Sequence, residues 1–364
     1  MTKLHPVSLM TAAGLLSLVA CGEDVQGIAQ PPTIEVEDVN PGPPNGTTDP
    51  RPVRDLGPPN TTPPVWDGTR FVQDGETFRI RGVCWNPVPK GADQEDGRDF
   101  AGFVDQDAAL MASVGINAVR TYTPITDQAV LDTLLANGIF VLQQVYIAES
   151  VALDDIDAAI NATKDHPAIL AWEVGNEWNY NNLYSGLTDE ETLDRLVAAV
   201  ARVKSLDTEH PVTTVYGELP DRPTLDALAD VDIWGLNVYR GLTFAGLFDQ
   251  WEGLSGAPFY MAEYGADAYD ATQNGPNVGA QALATLTLTR AIRDSNAIGG
   301  TIFEFADEWW KDESGSDDVQ DTGGIAPGGG PHPDATFNEE WWGLVDIDRN
   351  VRPALDAFAQ AWFD

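Results

Sequence analysis

Ala168–Tyr180 reads AILAWEVGNEWNY, and the fold turns on how this stretch is read. Its first half, Ala168 through Trp172, is an apolar run of strand length. It breaks off sharply at Gly175-Asn176-Glu177-Trp178. A strand apolar on both faces belongs in a parallel sheet covered by helices. A second run, Ala257-Pro258-Phe259-Tyr260-Met261-Ala262, ends the same way in Glu263-Tyr264-Gly265. Two buried strands that each end in a glutamate predict a paired-carboxylate site at the carboxyl face of a (β/α)8 barrel.

The rest of the chain keeps that rhythm. A hairpin over Arg70–Gln73 and Thr77–Val83, turning at Asp74-Gly75, leads into a first barrel strand at Phe78–Cys84. Strands follow at Ile116–Arg120, Ile139–Tyr146, Ile169–Val174, Val212–Tyr216, Asp232–Val238, Phe259–Ala262 and Gly300–Phe305. Helices are expected near Phe103–Ser113, Asp127–Ala136, Asp154–Lys164, Leu187–Ser205, Pro223–Ala229, Ala280–Ser295 and Arg352–Phe363. Thr188 and Glu191 have the spacing of a capping box at the start of the fourth helix. Strands alternating with helices mean α/β. The alternative, an open doubly wound sheet, would carry a Gly-x-Gly-x-x-Gly turn after its first strand, and none is present. Two long loops, Pro87–Gly97 and Lys311–Glu340, follow strands one and eight and so fall on the face with the glutamates.

Ahead of this body lie two segments of different character. Residues 1–21 combine Lys3, an apolar run and Leu18-Val19-Ala20-Cys21, which resembles a lipoprotein signal whose Cys21 becomes a lipid-bearing first residue. Residues 22–65 hold 11 of the 25 prolines and no apolar period, so they read as a disordered tether before a catalytic domain over 66–364. The expected location is extracytoplasmic, with the membrane as a partner only through that anchor. The net charge of −37 opposes nucleic acid and anionic lipid as partners. Cys84, the second of two cysteines, reads as a buried apolar residue.

Two carboxyls across one bond can cleave a glycoside, one protonating the leaving oxygen and the other attacking the sugar carbon or activating water. Asn176 offers a neutral donor and acceptor beside Glu177. Arg120, closing strand two, and Tyr239, closing strand six, are placed to hold a carboxylate; the alternatives are an ordinary buried ion-pair partner for Arg120 and core packing for Tyr239. The aromatic run after strand eight, with Trp309 and Trp310, offers flat faces for a pyranose.

Asn176-Glu177 after strand four and Glu263 after strand seven resemble the acid/base and nucleophile of clan A retaining β-glycosidases. Gly82-Val83 with Trp85-Asn86, Ala118-Val119-Arg120-Thr121-Tyr122 and Trp234–Tyr239 look like the family 2 catalytic domain, and also like fungal-type β-1,3-glucanosyltransferases. The resemblance implies Glu177 as acid/base, Glu263 as nucleophile and Asn176 at the 2-hydroxyl. It further implies Arg120 and Tyr239 supporting the nucleophile, Trp309 as sugar platform and Trp85 among the substrate-binding residues. The implied substrate is a glucan-type polysaccharide or oligosaccharide, hydrolysed or transglycosylated without a cofactor.

The rival readings are a carbohydrate-capture protein without turnover, a mannan- or galactan-specific hydrolase, and an inverting enzyme. His166 and His210 each precede a proline at a strand's amino end and read as structural. Four scattered histidines predict no metal site. The acid-rich run Asp312–Asp321 lacks the ligand spacing of a calcium loop and reads as a solvated lid.

Overall fold

The eight apolar runs pair in parallel and close on themselves. The computed structural model describes residues 54–93, 97–311, 316–322 and 330–364. The leader with Cys21 and the tether up to residue 53 lie outside the described residues, as does part of the acid-rich run. Three short strands come first, β1 (Val65–Trp66), β2 (Phe71–Gln73) and β3 (Glu76–Phe78), forming an antiparallel sheet. The barrel consists of β4 (Ile80–Cys84), β5 (Ala118–Thr121), β6 (Phe140–Tyr146), β7 (Ile169–Asn176), β8 (Val212–Gly217), β9 (Ile233–Asn237), β10 (Phe259–Glu263) and β13 (Gly299–Ile302). Between the last two, β11 (Tyr269–Asp270) and β12 (Gly275–Pro276) make a small hairpin. The barrel closes where β13 pairs with β4, so the (β/α)8 reading holds.

The crossovers are helical: α1 (Phe100–Ser113), α2 (Gln128–Ala136), α3 (Leu153–Thr163), the short α4 (Trp178–Asn181), α5 (Asp189–Leu206), α6 (Arg222–Ala227), α7 (Leu247–Leu254), α8 (Val278–Arg293) and α9 (Pro353–Phe363). The capping box at Thr188 forms as expected, with each partner bonding the other's backbone. Helix α7 is the longest of the elements that the sequence pattern did not show, the others being β1, α4, β11 and β12. It spans only two turns and starts at Gly246 in the left-handed region, without a capping side chain, yet it buries Leu247 and Trp251.

Apolar residues divide into two layers. Val119, Val141, Trp172, Trp234 and Met261 face outward and pack under the helices. Ile80, Phe140, Leu142, Leu170, Ile233 and Tyr260 fill the barrel interior, joined by Phe71 and Phe78 from the antiparallel sheet. Phe78 meets Phe140 edge-on at 5.6 Å, so the hairpin plugs the amino end of the barrel. Hairpin and first barrel strand were expected to be continuous. They part at Arg79, whose guanidinium donates to the carbonyls of Ile292 and Ala297 and turns the chain from plug to wall.

Residues 54–65, assigned by composition to the tether, lie on this same end. Gly138 approaches the Asn60 backbone, and Arg54 donates to Asp364 at 2.5 and 2.8 Å. Proline content signals extended backbone but does not say whether that backbone has a surface to lie on.

His166 and His210 sit at the amino end. They bond Asp132 and Asp207 there, away from the glutamates.

Candidate active site

The site begins with the backbone at the end of β7. Gly175 has φ +79°, and a side chain there would run into Trp178 and Leu196. The chain then turns through Glu177, itself left-handed at φ +48°, into α4. A non-glycine residue in that region costs about 1–2 kcal/mol. The turn aims a partly buried carboxyl over the barrel mouth instead of continuing the strand. Across the mouth, β10 ends in Glu263, 6 % exposed. Gly265 follows, where a Cβ would meet the Phe303 carbonyl at 2.8 Å.

Arg120 is the hub between them. It is fully buried, and all five of its N–H groups have acceptors. Nε and Nη2 donate to Glu173 at 2.8 and 2.7 Å, and Nη2 also donates to Asn176 Oδ1 at 2.7 Å. Nη1 reaches Glu263 Oε1 at 2.6 Å and the Tyr122 hydroxyl at 3.2 Å. Two tyrosines complete the grip on Glu263: Tyr122 donates to Oε1 at 2.8 Å and Tyr239 to Oε2 at 3.0 Å. The structure thus brings Arg120 and Tyr239, two of the residues singled out in the sequence, against Glu263. Tyr122 and Glu173 were not anticipated. Tyr122 could have been found as an aromatic two residues beyond Arg120 at a strand end. Glu173 had a plainer signal, a lone acid inside an apolar strand, which has to be paired.

The two glutamates differ in surroundings. Burial, reinforced by the negative charge of Glu263, pushes the Glu177 carboxyl up to about 7. Glu263 instead receives three donors. Environments that differ this way separate an acid from a nucleophile. Asn176 accepts from Arg120 and from Asn237 at 3.3 Å, which fixes its side chain between the two. Cys84 is buried as expected, its thiol pushed up to about 12 by burial.

The loops after β4 and β13 meet above the mouth. The Gly91 amide donates to the Asp317 carbonyl at 2.8 Å, and Asn86 donates to Glu308 at 2.8 Å. Lys311 lies 3.0 Å from both Glu304 and Glu308. Burial works against its ammonium, but Glu304, Glu308 and Glu339 outweigh that and hold its pKa above the usual lysine value.

Trp85 does not belong to this face. It is 1 % exposed, its indole donates to Asp107 at 2.9 Å, and its ring packs on Phe100 at 5.0 Å. The strand's alternation turns it outward into the helix layer, and its neighbour Asn86 joins the loop cluster instead. Trp309 is part of the loop wall, with the Lys90 ammonium 4.2 Å above its ring. The aromatic rings packed on Tyr239 are Trp342, at 5.2 Å, and Phe337, at 5.4 Å, with Phe303 behind Trp342.

Comparison with known proteins agrees with this architecture. Residues 146–355 match the model for glycosyl hydrolases family 2, TIM barrel domain. The chain is 26 % identical over 231 residues to a β-glucuronidase of Rattus norvegicus, covering 57 % of this chain and 34 % of that protein. It thus spans about a third of that curated relative's length. Among solved structures it is similar to a β-glucuronidase of Bacteroides uniformis, with a TM-score of 0.61, 20 % identity, and 82 % of this chain against 36 % of the other covered. It is also similar to a β-galacturonidase from Eisenbergiella tayi bound to galacturonate, with a TM-score of 0.60, 18 % identity, and coverage of 82 % and 54 %. At these identities the two structures speak for the shared barrel. The family match takes in both glutamates and more than half of the chain, so this protein belongs to glycosyl hydrolase family 2 through its TIM barrel domain.

Proposed function

We propose that the chain is a retaining β-glycosidase acting by double displacement. The observation that carries this reading is the unequal pair itself. Glu177 is raised to about 7 and so keeps a proton near neutrality, while Glu263 is held by Arg120, Tyr122 and Tyr239. Glu263 attacks the anomeric carbon as Glu177 gives its proton to the departing oxygen. The glycosyl–Glu263 ester then breaks when water, or an acceptor sugar, attacks with Glu177 taking up the proton. Two inversions leave the anomer unchanged. Asn176 lies between the two acids, where its amide can bind the 2-hydroxyl.

For the substrate, the proposal is an uncharged glucan-type sugar. The relatives named above are β-glucuronidases and a β-galacturonidase, whose sugars carry a carboxylate. Here Arg120 has no N–H left to offer, and Lys311 is shared between Glu304 and Glu308. An anionic sugar would meet more carboxylate than cation at this mouth.

The test is a panel of β-glucosides, laminarin, mannan, galactan and p-nitrophenyl β-glucuronide, with product anomers followed by NMR. Expected is release of the β-anomer from a glucoside, with Glu263→Gln lowering kcat at least ~10⁴-fold. Turnover of the glucuronide alone would replace the glucan reading. Binding across the panel without turnover would make this a capture protein. Anchoring through Cys21 is a separate proposal, supported by the leader sequence. Incorporation of labelled palmitate in a bacterial host, abolished by Cys21→Ser, is the expected result.

A further inference from the structure

Glu173 has no place in the chemistry just described. It is fully buried, sits four residues before Glu177 on β7 and touches no space a sugar could enter. Even so, it is the most heavily bonded carboxylate at the centre of the barrel. Oε1 accepts from Arg120 Nη2 at 2.7 Å and from Gln144 at 2.9 Å. Oε2 accepts from Arg120 Nε at 2.8 Å and from the Tyr260 hydroxyl at 3.0 Å. Four donors saturate it.

We infer that Glu173 is a positioning residue that sets both the plane and the effective charge of Arg120, and through Arg120 the nucleophilicity of Glu263. The geometric half follows from the fork of the guanidinium. A bidentate pair fixes its plane. With Nε and one Nη2 hydrogen committed to Glu173, the remaining hydrogens can point only where they do, at Asn176, Glu263 and Tyr122. One guanidinium thereby aligns residues beside both catalytic glutamates.

The electrostatic half follows from charge counting. An isolated Arg⁺ at 2.6 Å from Glu263 would stabilise that carboxylate strongly and make it a weak nucleophile. Sharing Arg120 with Glu173 weakens that pull. A buried Arg–Glu pair contributes little net stability compared with apolar packing, so a pair kept at the heart of a barrel calls for another role. The charged and titratable groups facing Glu263 are Arg120 on β5 and Tyr122 just after it, Cys84 on β4, Glu173 on β7 and Glu177 just after it, Tyr184 beyond α4, Tyr239 after β9, and Glu339 from the loop before α9. Of the acids among them, Glu173 alone is bonded to Arg120 and out of reach of substrate.

The inference rests on the double-displacement reading for its meaning, but its test does not depend on turnover. Glu263 is titrated by 13C NMR in protein labelled at the glutamate carboxyls, its resonance assigned by loss in Glu263→Gln. In Glu173→Gln the Glu263 midpoint is expected to fall by about one pH unit, because a unit negative charge bonded to the same guanidinium is removed. On any glycoside that is turned over, the acid limb of kcat/KM should fall with it and kcat should drop about 10- to 100-fold. A residue that merely held the fold together would lower the active fraction and leave midpoint and limb in place. If Glu173→Gln does not fold, Tyr260→Phe carries the test. Losing that donor leaves Glu173 pulling harder on Arg120, and the Glu263 midpoint should rise by a few tenths of a unit. An unmoved midpoint in the variant that folds overturns the inference. Absence of any turnover by the wild type would strike the reaction assignment alone, since the NMR titration still decides the role of Glu173.

Discussion

Glu177 shows what a single residue contributes here. Its carboxyl is raised to about 7, first by burial and then by Glu263, whereas an unfolded glutamate titrates near about 4.3. The folded protein therefore keeps a proton that the unfolded chain gives up between those values. The stabilisation is complete below the lower value and is lost as pH rises through the upper one. Asp267, pushed up to about 7 by burial, acts in the same direction. Glu177→Gln should consequently melt above the wild type at pH 8 and close to it at pH 5, as read by calorimetry at both. The same group predicts an alkaline limb in kcat/KM near pH 7, absent from Glu177→Gln on substrates whose leaving group needs no proton. Glu177 was legible in the sequence because a polar turn ends an apolar strand. Its protonation was not, because that depends first on burial in the closed barrel and then on Glu263, 86 residues away in the chain.

At the scale of elements, the hairpin ahead of the barrel matters more than its length suggests. Phe71 and Phe78 are buried against the interior residues Ile80 and Phe140, and Trp66 tilts onto Phe71 at 5.0 Å. Phe71→Ala should cost about 3–5 kcal/mol in urea unfolding, through lost burial and the cavity left behind. Because the plug is at the amino end, opposite the glutamates, KM measured well below the transition should be unchanged. Element recognition succeeded where a strand was a long apolar run or a helix carried its own caps, as at Thr188 and Glu191. It failed at α7, which gains its stability by seating Trp251 against Trp234 and Phe259 rather than from caps or length. It failed again at Trp85, where strand alternation decides which face a side chain takes, and one residue of register separates the mouth from the helix layer.

The whole molecule carries a net charge of −37, and most of that charge has no partner of opposite sign, with 57 acids against 20 lysines and arginines. Self-repulsion of this size strains the folded state and is relieved by screening. Raising sodium chloride from 10 mM to 0.5 M should therefore lift Tm by roughly 3–6 °C, where a neutral surface would show little change. At this scale the origin of each feature also separates. The order of strands and helices and the two glutamates at strand ends were set by local pattern, because hydrophobic period and turn residues act over a few neighbours. The closure of β13 on β4, the packing of residues 54–65 under the barrel and the hub at Arg120 with Glu173, Tyr122 and Tyr239 were decided only by tertiary structure. Those contacts join residues dozens to hundreds of positions apart. Their strength comes from exclusion of water at a centre that exists only after all eight strands have met.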